Sequence, residues 1–233
     1  MKKCILPALL VLGLCLCACA KNVEPEPEQT PKELDVASLK AAQDTDQLVV
    51  LDVVGENDAT LRLYEKKESD GGLVWSEVLK TDAKFGRNGL GKTMEGDEKT
   101  PSGVYTFTEA FGIADNPGTA FKYTKLNKNH YWDTNPKSRT YNTLVSVKKG
   151  KRSKVKGEHL IEGTEAYQYA LVINYNPERR PEVGSAIFLR CTTGEPSTAG
   201  SVTVDADALK TLLMQLKPTA KILIAMHDEL ASY

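Results

Sequence analysis

Gly184-Ser185-Ala186-Ile187-Phe188-Leu189-Arg190-Cys191 is an apolar run opened by glycine and closed by an arginine and a cysteine. A loop with Glu195-Pro196-Ser197-Thr198 follows, then Ala199-Gly200-Ser201-Val202-Thr203-Val204, then a helical pattern. Ala186–Leu189 reads as a strand, and side chains alternate faces along a strand. If Arg190 faces a cleft, Cys191 therefore faces the core, where a buried cysteine is an inert small hydrophobe. The loop of ten residues between 190 and 201 is short enough to bring Ser201 back beside Arg190.

Outward from this stretch, most of the chain reads as strands. Leu48 to Val54 is a β-branched apolar run, and Thr60 to Tyr64 alternates Leu61 and Leu63 with polar neighbours. Leu73 to Leu79 follows the turn signal Asp70-Gly71-Gly72, which predicts a hairpin with the preceding strand. Val104–Phe107, Asn142–Val147, Tyr169–Asn174 and Ile222–Ala225 are further strand candidates. One helix is clear: Leu209, Leu212, Leu213 and Leu216 follow the i, i+3, i+4, i+7 spacing, Asp205 or Asp207 serves its N-terminus, and Pro218 stops it. Many strands and few helices predict a mainly β fold, a sandwich or a barrel-like sheet.

The N-terminal residues read as a processing signal. Lys2 and Lys3 precede an apolar run from Ile5 to Leu16, shorter than the roughly 20 residues a membrane-spanning helix needs. Leu16-Cys17-Ala18-Cys19 resembles a bacterial lipobox, which predicts a signal over residues 1–18 and a lipid on Cys19. Residues 19–44, with Glu24-Pro25-Glu26-Pro27-Glu28 and Pro31, read as a flexible tether. Residues 45–233 remain for one folded domain.

Composition excludes several chemistries. Four of the five cysteines (Cys4, Cys15, Cys17, Cys19) belong to the signal, so Cys191 has no partner for a disulfide. His130, His159 and His227 lie at no metal-ligand spacing, so neither a metal nor another cofactor is expected. Without Lys2 and Lys3 the 30 basic residues fall to 28 against 31 acidic ones, a net charge of −3 that argues against nucleic acid as a partner. The basic run Lys148 to Lys156 is read first as a solvated hairpin tip and second as a patch for anionic wall polymer or lipid headgroups.

Three segments together resemble the L,D-transpeptidase catalytic domain (YkuD-type). They are Phe85-Gly86-Arg87-Asn88-Gly89-Leu90-Gly91-Lys92 with Glu95 to Tyr105, which carries Gly96-Asp97-Glu98-Lys99-Thr100-Pro101-Ser102-Gly103; the aromatic segment Tyr131-Trp132-Asp133 through Tyr141-Asn142; and the 184–204 stretch. The resemblance covers roughly residues 45 to 233 and implies a β-sandwich whose active site lies at the loop before the last helix. It implies an enzyme that cross-links peptidoglycan: a cysteine thiolate attacks a stem tetrapeptide, a histidine moves the proton, and backbone N–H groups hold the oxyanion.

This chain departs from that pattern at two positions. Ser201 stands where the family has its cysteine, and Arg190 where it has its histidine. A serine hydroxyl depends on an adjacent base, and arginine stays protonated. His159 is the one nearby candidate base, and its simpler reading is a structural histidine on a turn. Arg190 instead offers a fork suited to a carboxylate, with Thr198, Gly200 and Ser201 beside it. Tyr131 and Trp132 stand in the substrate-side segment, although their plainer reading is as core aromatics. The favoured expectation is therefore an exported, membrane-anchored lipoprotein, facing the cell wall or periplasm, that binds peptidoglycan stem peptides without turnover. An active transpeptidase with an altered nucleophile, and a structural or partner-binding lipoprotein with a vestigial cleft, are the alternatives.

Overall fold

The computed structural model describes residues 34–56, 58–148 and 156–233. The expected signal, Cys19, and the centre of the basic run from 149 to 155 lie outside the described residues. No helix among the described residues is long and apolar enough to cross a membrane.

Strand β1 (Gln47–Val53) is buried along its whole length, the apolar run Leu48–Leu51 together with Gln47, Asp52 and Val53. It pairs antiparallel with β2 (Ala59–Ser69), which turns at Asp70-Gly71 into β3 (Gly72–Lys84). Gly72 has φ +111°, a conformation that the turn demands and glycine supplies. β4 (Gly103–Gly112), β5 (Tyr123–Lys125), β6 (His130–Asp133), β7 (Leu144–Ser146), β8 (Gly157–His159), β9 (Ala170–Ile173), β10 (Phe188–Cys191) and β11 (Val202–Val204) follow. Helix α1 (Ala206–Gln215) then leads to β12 (Lys221–Met226). The Asp205 carboxylate accepts from the Asp207 N–H at 2.9 Å and caps α1.

Among the described residues, one nine-stranded sheet runs β12-β1-β2-β3-β11-β10-β9-β4-β5, and β12 also pairs with β4. That extra pairing closes the ladder, so the sheet is barrel-like, one of the two arrangements the strand pattern allowed; two separate packed sheets do not follow from it. A three-stranded sheet, β7-β6-β8, lies beside it. The main core joins Val49, Leu51, Leu61 and Leu63 to Leu189, Cys191, Val202, Val204 and the α1 residues Leu209, Leu212 and Leu213.

The folded unit begins at Asp35, earlier than the boundary at 45 expected from the sequence. Val36, Leu39, Ala41 and Ala42 are buried in two 3₁₀ turns, and the Ala41 N–H donates to the Tyr233 carbonyl at 2.9 Å. Residues 35–44 therefore belong to the domain and not to a tether. Four small apolar side chains in a polar segment are enough to dock it.

Candidate active site

The first and third motif segments line one cavity, and the second bonds to its wall through Tyr141 and Asn142. Gly86 N–H donates to Thr100 Oγ1 at 2.9 Å, and Thr100 Oγ1 donates to the Gly200 carbonyl at 2.7 Å. The Thr198 N–H reaches the Phe85 carbonyl at 2.8 Å. Tyr141 Oη and Ser185 Oγ both donate to Glu95 Oε2, at 2.6 and 2.9 Å. Asn142 Oδ1 accepts from Ala186 N–H at 3.1 Å, while its Nδ2 reaches the carbonyls of Tyr175 and Asn176. Close approach explains the glycines. A Cβ on Gly86 would lie 2.5 Å from the Glu98 carbonyl oxygen, and one on Gly200, at φ +141°, would lie 2.9 Å from that of Lys99.

The cavity holds about 310 Å³, and both Arg190 and Ser201 line it, as strand alternation and loop length predicted. Cys191 is 1% exposed and sits in the core, with Sγ 3.6 Å from the Tyr169 carbonyl oxygen. Burial raises its thiol pKa above the ordinary value, so it is no relocated nucleophile.

Ser201 is poorly placed to attack anything. Its Oγ donates to the Ala186 carbonyl at 3.2 Å and accepts from the Phe188 N–H at 3.1 Å. Ala186 holds φ +59° to present that carbonyl, a left-handed conformation that is uncommon for alanine. No base stands by. Both nitrogens of His159 are engaged elsewhere: Nδ1 lies 2.7 Å from Glu162 Oε1, Nε2 lies 3.1 Å from the Lys128 carbonyl oxygen, and the ring stacks on Tyr131 with centroids 4.2 Å apart. His159 is a structural histidine.

Arg190 is not the open fork expected. Its Nη1 lies 2.9 Å from Glu195 Oε1, an ion pair by distance that lacks hydrogen-bond alignment, and donates to the Cys191 carbonyl at 2.9 Å. Burial opposes ionisation of Glu195, but hydrogen bonds from Thr193 and the Arg190 charge hold its pKa below the ordinary carboxylate value. Thr198 is likewise occupied: its Oγ1 donates to the Ser201 carbonyl at 2.6 Å and accepts from Gly200 N–H at 3.0 Å. These contacts shape the loop and leave no hydroxyl donor for an anion. The helix start is also displaced, because β11 separates Ser201 from α1.

Tyr131 and Trp132 do not reach this cavity. Trp132 is 3% exposed, packs edge-on against Phe188 at 4.8 Å, and donates from Nε1 to Asn142 Oδ1 at 3.1 Å. Tyr131 is buried under His159. Both are buried aromatics, and neither lines the Ser201 cavity.

The cavity wall holds residues that the sequence did not announce. Lys92, Glu95, Glu98 and Glu158 line it. The Lys92 ammonium is buried and sits 2.7 Å from Asp97, and Arg87 lies 3.3 Å from Glu98. The Tyr167 hydroxyl donates to Glu158. Glu158 neighbours His159 on β8, so alternation along the strand turns one toward the cavity when the other turns away. No protein-family model matches the chain, and no curated protein matches it.

Proposed function

We propose that this protein is an exported lipoprotein, anchored through Cys19, whose L,D-transpeptidase-like domain binds peptidoglycan stem peptides without catalysing their transfer. We infer likewise that the barrel-like sheet is of the L,D-transpeptidase sandwich type. One observation carries it: in the cavity that the first and third motif segments line, the Ser201 hydroxyl is bonded to backbone on both sides and no histidine lines the wall. A hydroxyl without a base does not form an acyl-enzyme, whereas a walled cavity with polar groups still accommodates a ligand.

Incubating the purified protein with disaccharide-tetrapeptide tests this. Binding without release of D-Ala is the expected result. Release of D-Ala, or a cross-linked dimer seen by mass spectrometry, identifies an active transpeptidase with an altered nucleophile. Neither binding nor turnover identifies a vestigial cleft in a structural or partner-binding lipoprotein. For the anchor, Cys19→Ala is expected to abolish labelling by a lipid precursor, and unchanged labelling refutes it.

A further inference from the structure

A second cavity, of about 300 Å³, lies between β3, β11 and the loop at 192–195. Glu195 lines it, Arg190 lines the Ser201 cavity, and their ion pair stands between the two.

Two buried polar atoms on its wall have no hydrogen-bond partner. Thr203 Oγ1 is the first. Thr203 is 1% exposed, yet its neighbours Val202 and Val204 belong to the core, so its side chain points the other way, to the wall of the cavity. Cross-strand register sets it between Arg190 and Lys84 on that face. Glu195 Oε1 is the second, close to Arg190 but unaligned with any donor. Arg190 supplies the counter-charge of Glu195, whereas folded proteins pair nearly all of their buried polar groups and the Thr203 hydroxyl is left to a partner from the cavity. The charge balance says which kind. Glu195 is balanced by Arg190 at 2.9 Å and Lys84 by Asp58 at 3.5 Å, so the Asp82 and Asp205 carboxylates set the sign of the cavity.

We propose that this cavity binds a primary ammonium group on a short aliphatic stem. The ammonium offers three donors and no acceptor, and it donates to Thr203 Oγ1. Asp82 and Asp205 add negative field, and Ala83 and Val204 provide apolar contact for the stem. A carboxylate of the same size would face the like charges of Asp82 and Asp205. The assignment is independent of what the Ser201 cavity binds.

Titrating butylammonium into the isotopically labelled full-length chain, followed by amide NMR shifts, tests the site, with butyrate as the control. Saturable shifts are expected at residues 81–84, 192–195 and 203–205, and none with butyrate. Thr203→Val keeps the shape and removes the orphan hydroxyl, and is expected to weaken binding about tenfold, as loss of one hydrogen bond to a charged group does. Asp82→Asn, a change at an exposed position, is expected to weaken it severalfold and keeps the test decisive if Thr203→Val folds poorly. Absence of saturation, equal binding of butyrate, or affinity unchanged in both variants overturns the proposal.

Discussion

Arg190 Nη1 lies 2.9 Å from Glu195 Oε1 and also donates to the carbonyl of Cys191. The guanidinium thus carries its own counter-charge and ties the end of β10 to the loop that returns to Ser201. Arg190→Ala is expected to destabilise the fold by about 2–3 kcal/mol, because it leaves a mostly buried carboxylate without its cation. Urea denaturation measures this. The Glu195 contribution has a definite sign. Its folded pKa is depressed, so the stabilisation is complete above the ordinary value of 4.5 and fades as pH falls through the lower folded value. Equal stability of the variant and the parent at neutral pH would contradict the role.

Catalysis is expected to return only when both departures are reversed. Ser201→Cys alone gives a thiol with no base, and β11 keeps it away from the start of α1, so alkylation should be slow. Arg190→His alone leaves a serine whose hydroxyl is bonded to backbone. The double variant should form an acyl adduct with a carbapenem or with tetrapeptide, seen as a mass increase of the intact protein. Acylation of the unmodified protein at Ser201 would refute the silent-site reading.

Cys191 is expected to resist alkylation in the folded protein. It is 1% exposed, and burial raises its thiol pKa. Iodoacetamide should label it only at the rate of unfolding, with full labelling in denaturant. Rapid labelling under native conditions would place the sulfur elsewhere.

Asp97 is expected to hold the loop at 92–99 together. Its carboxylate accepts from Lys92 Nζ and from the N–H groups of Thr93, Met94 and Lys99. Burial works against its charge, but these donors outweigh it and lower its pKa far below the ordinary 3.8. Its stabilisation is therefore present above about pH 4 and lost only in strong acid. Asp97→Asn should cost about 3 kcal/mol, since it leaves the buried Lys92 ammonium uncompensated. Thermal denaturation at neutral pH checks the magnitude, and Asp97→Asn combined with Lys92→Met should recover part of the loss.

Periodicity made the long elements legible. The apolar run of β1, the Asp70-Gly71 turn and the leucine spacing of α1 each correspond to an observed element. Alternation also placed Arg190 and Cys191 on opposite sides of β10. Of the three-residue strands, β7 falls inside the Asn142–Val147 candidate, while β5, β8 and β11 escaped because three residues carry no period: β11 reads as Val-Thr-Val between a loop and a helix, and its partners lie far away in sequence. The electrostatics of the site escaped for a related reason. Glu195 sits four residues after Cys191 in a turn, and only the folded loop brings its carboxylate to Arg190. Side-chain commitments such as the Thr198 and Ser201 hydroxyls depend on tertiary neighbours, which a linear motif does not contain.

The ring of strands is sealed by the end of the chain. β12 takes β1 on one edge and β4 on the other, with Leu48 beside Lys221 and Val104 beside Leu223. Its parallel pairing with β1 joins residues at opposite ends of the domain, the kind of contact that makes folding slow, because the intervening chain must first be gathered. Until β12 arrives, β1 and β4 each offer a bare apolar edge that can add a foreign strand. Closure of the ring therefore waits for β12, the last strand of the domain to emerge.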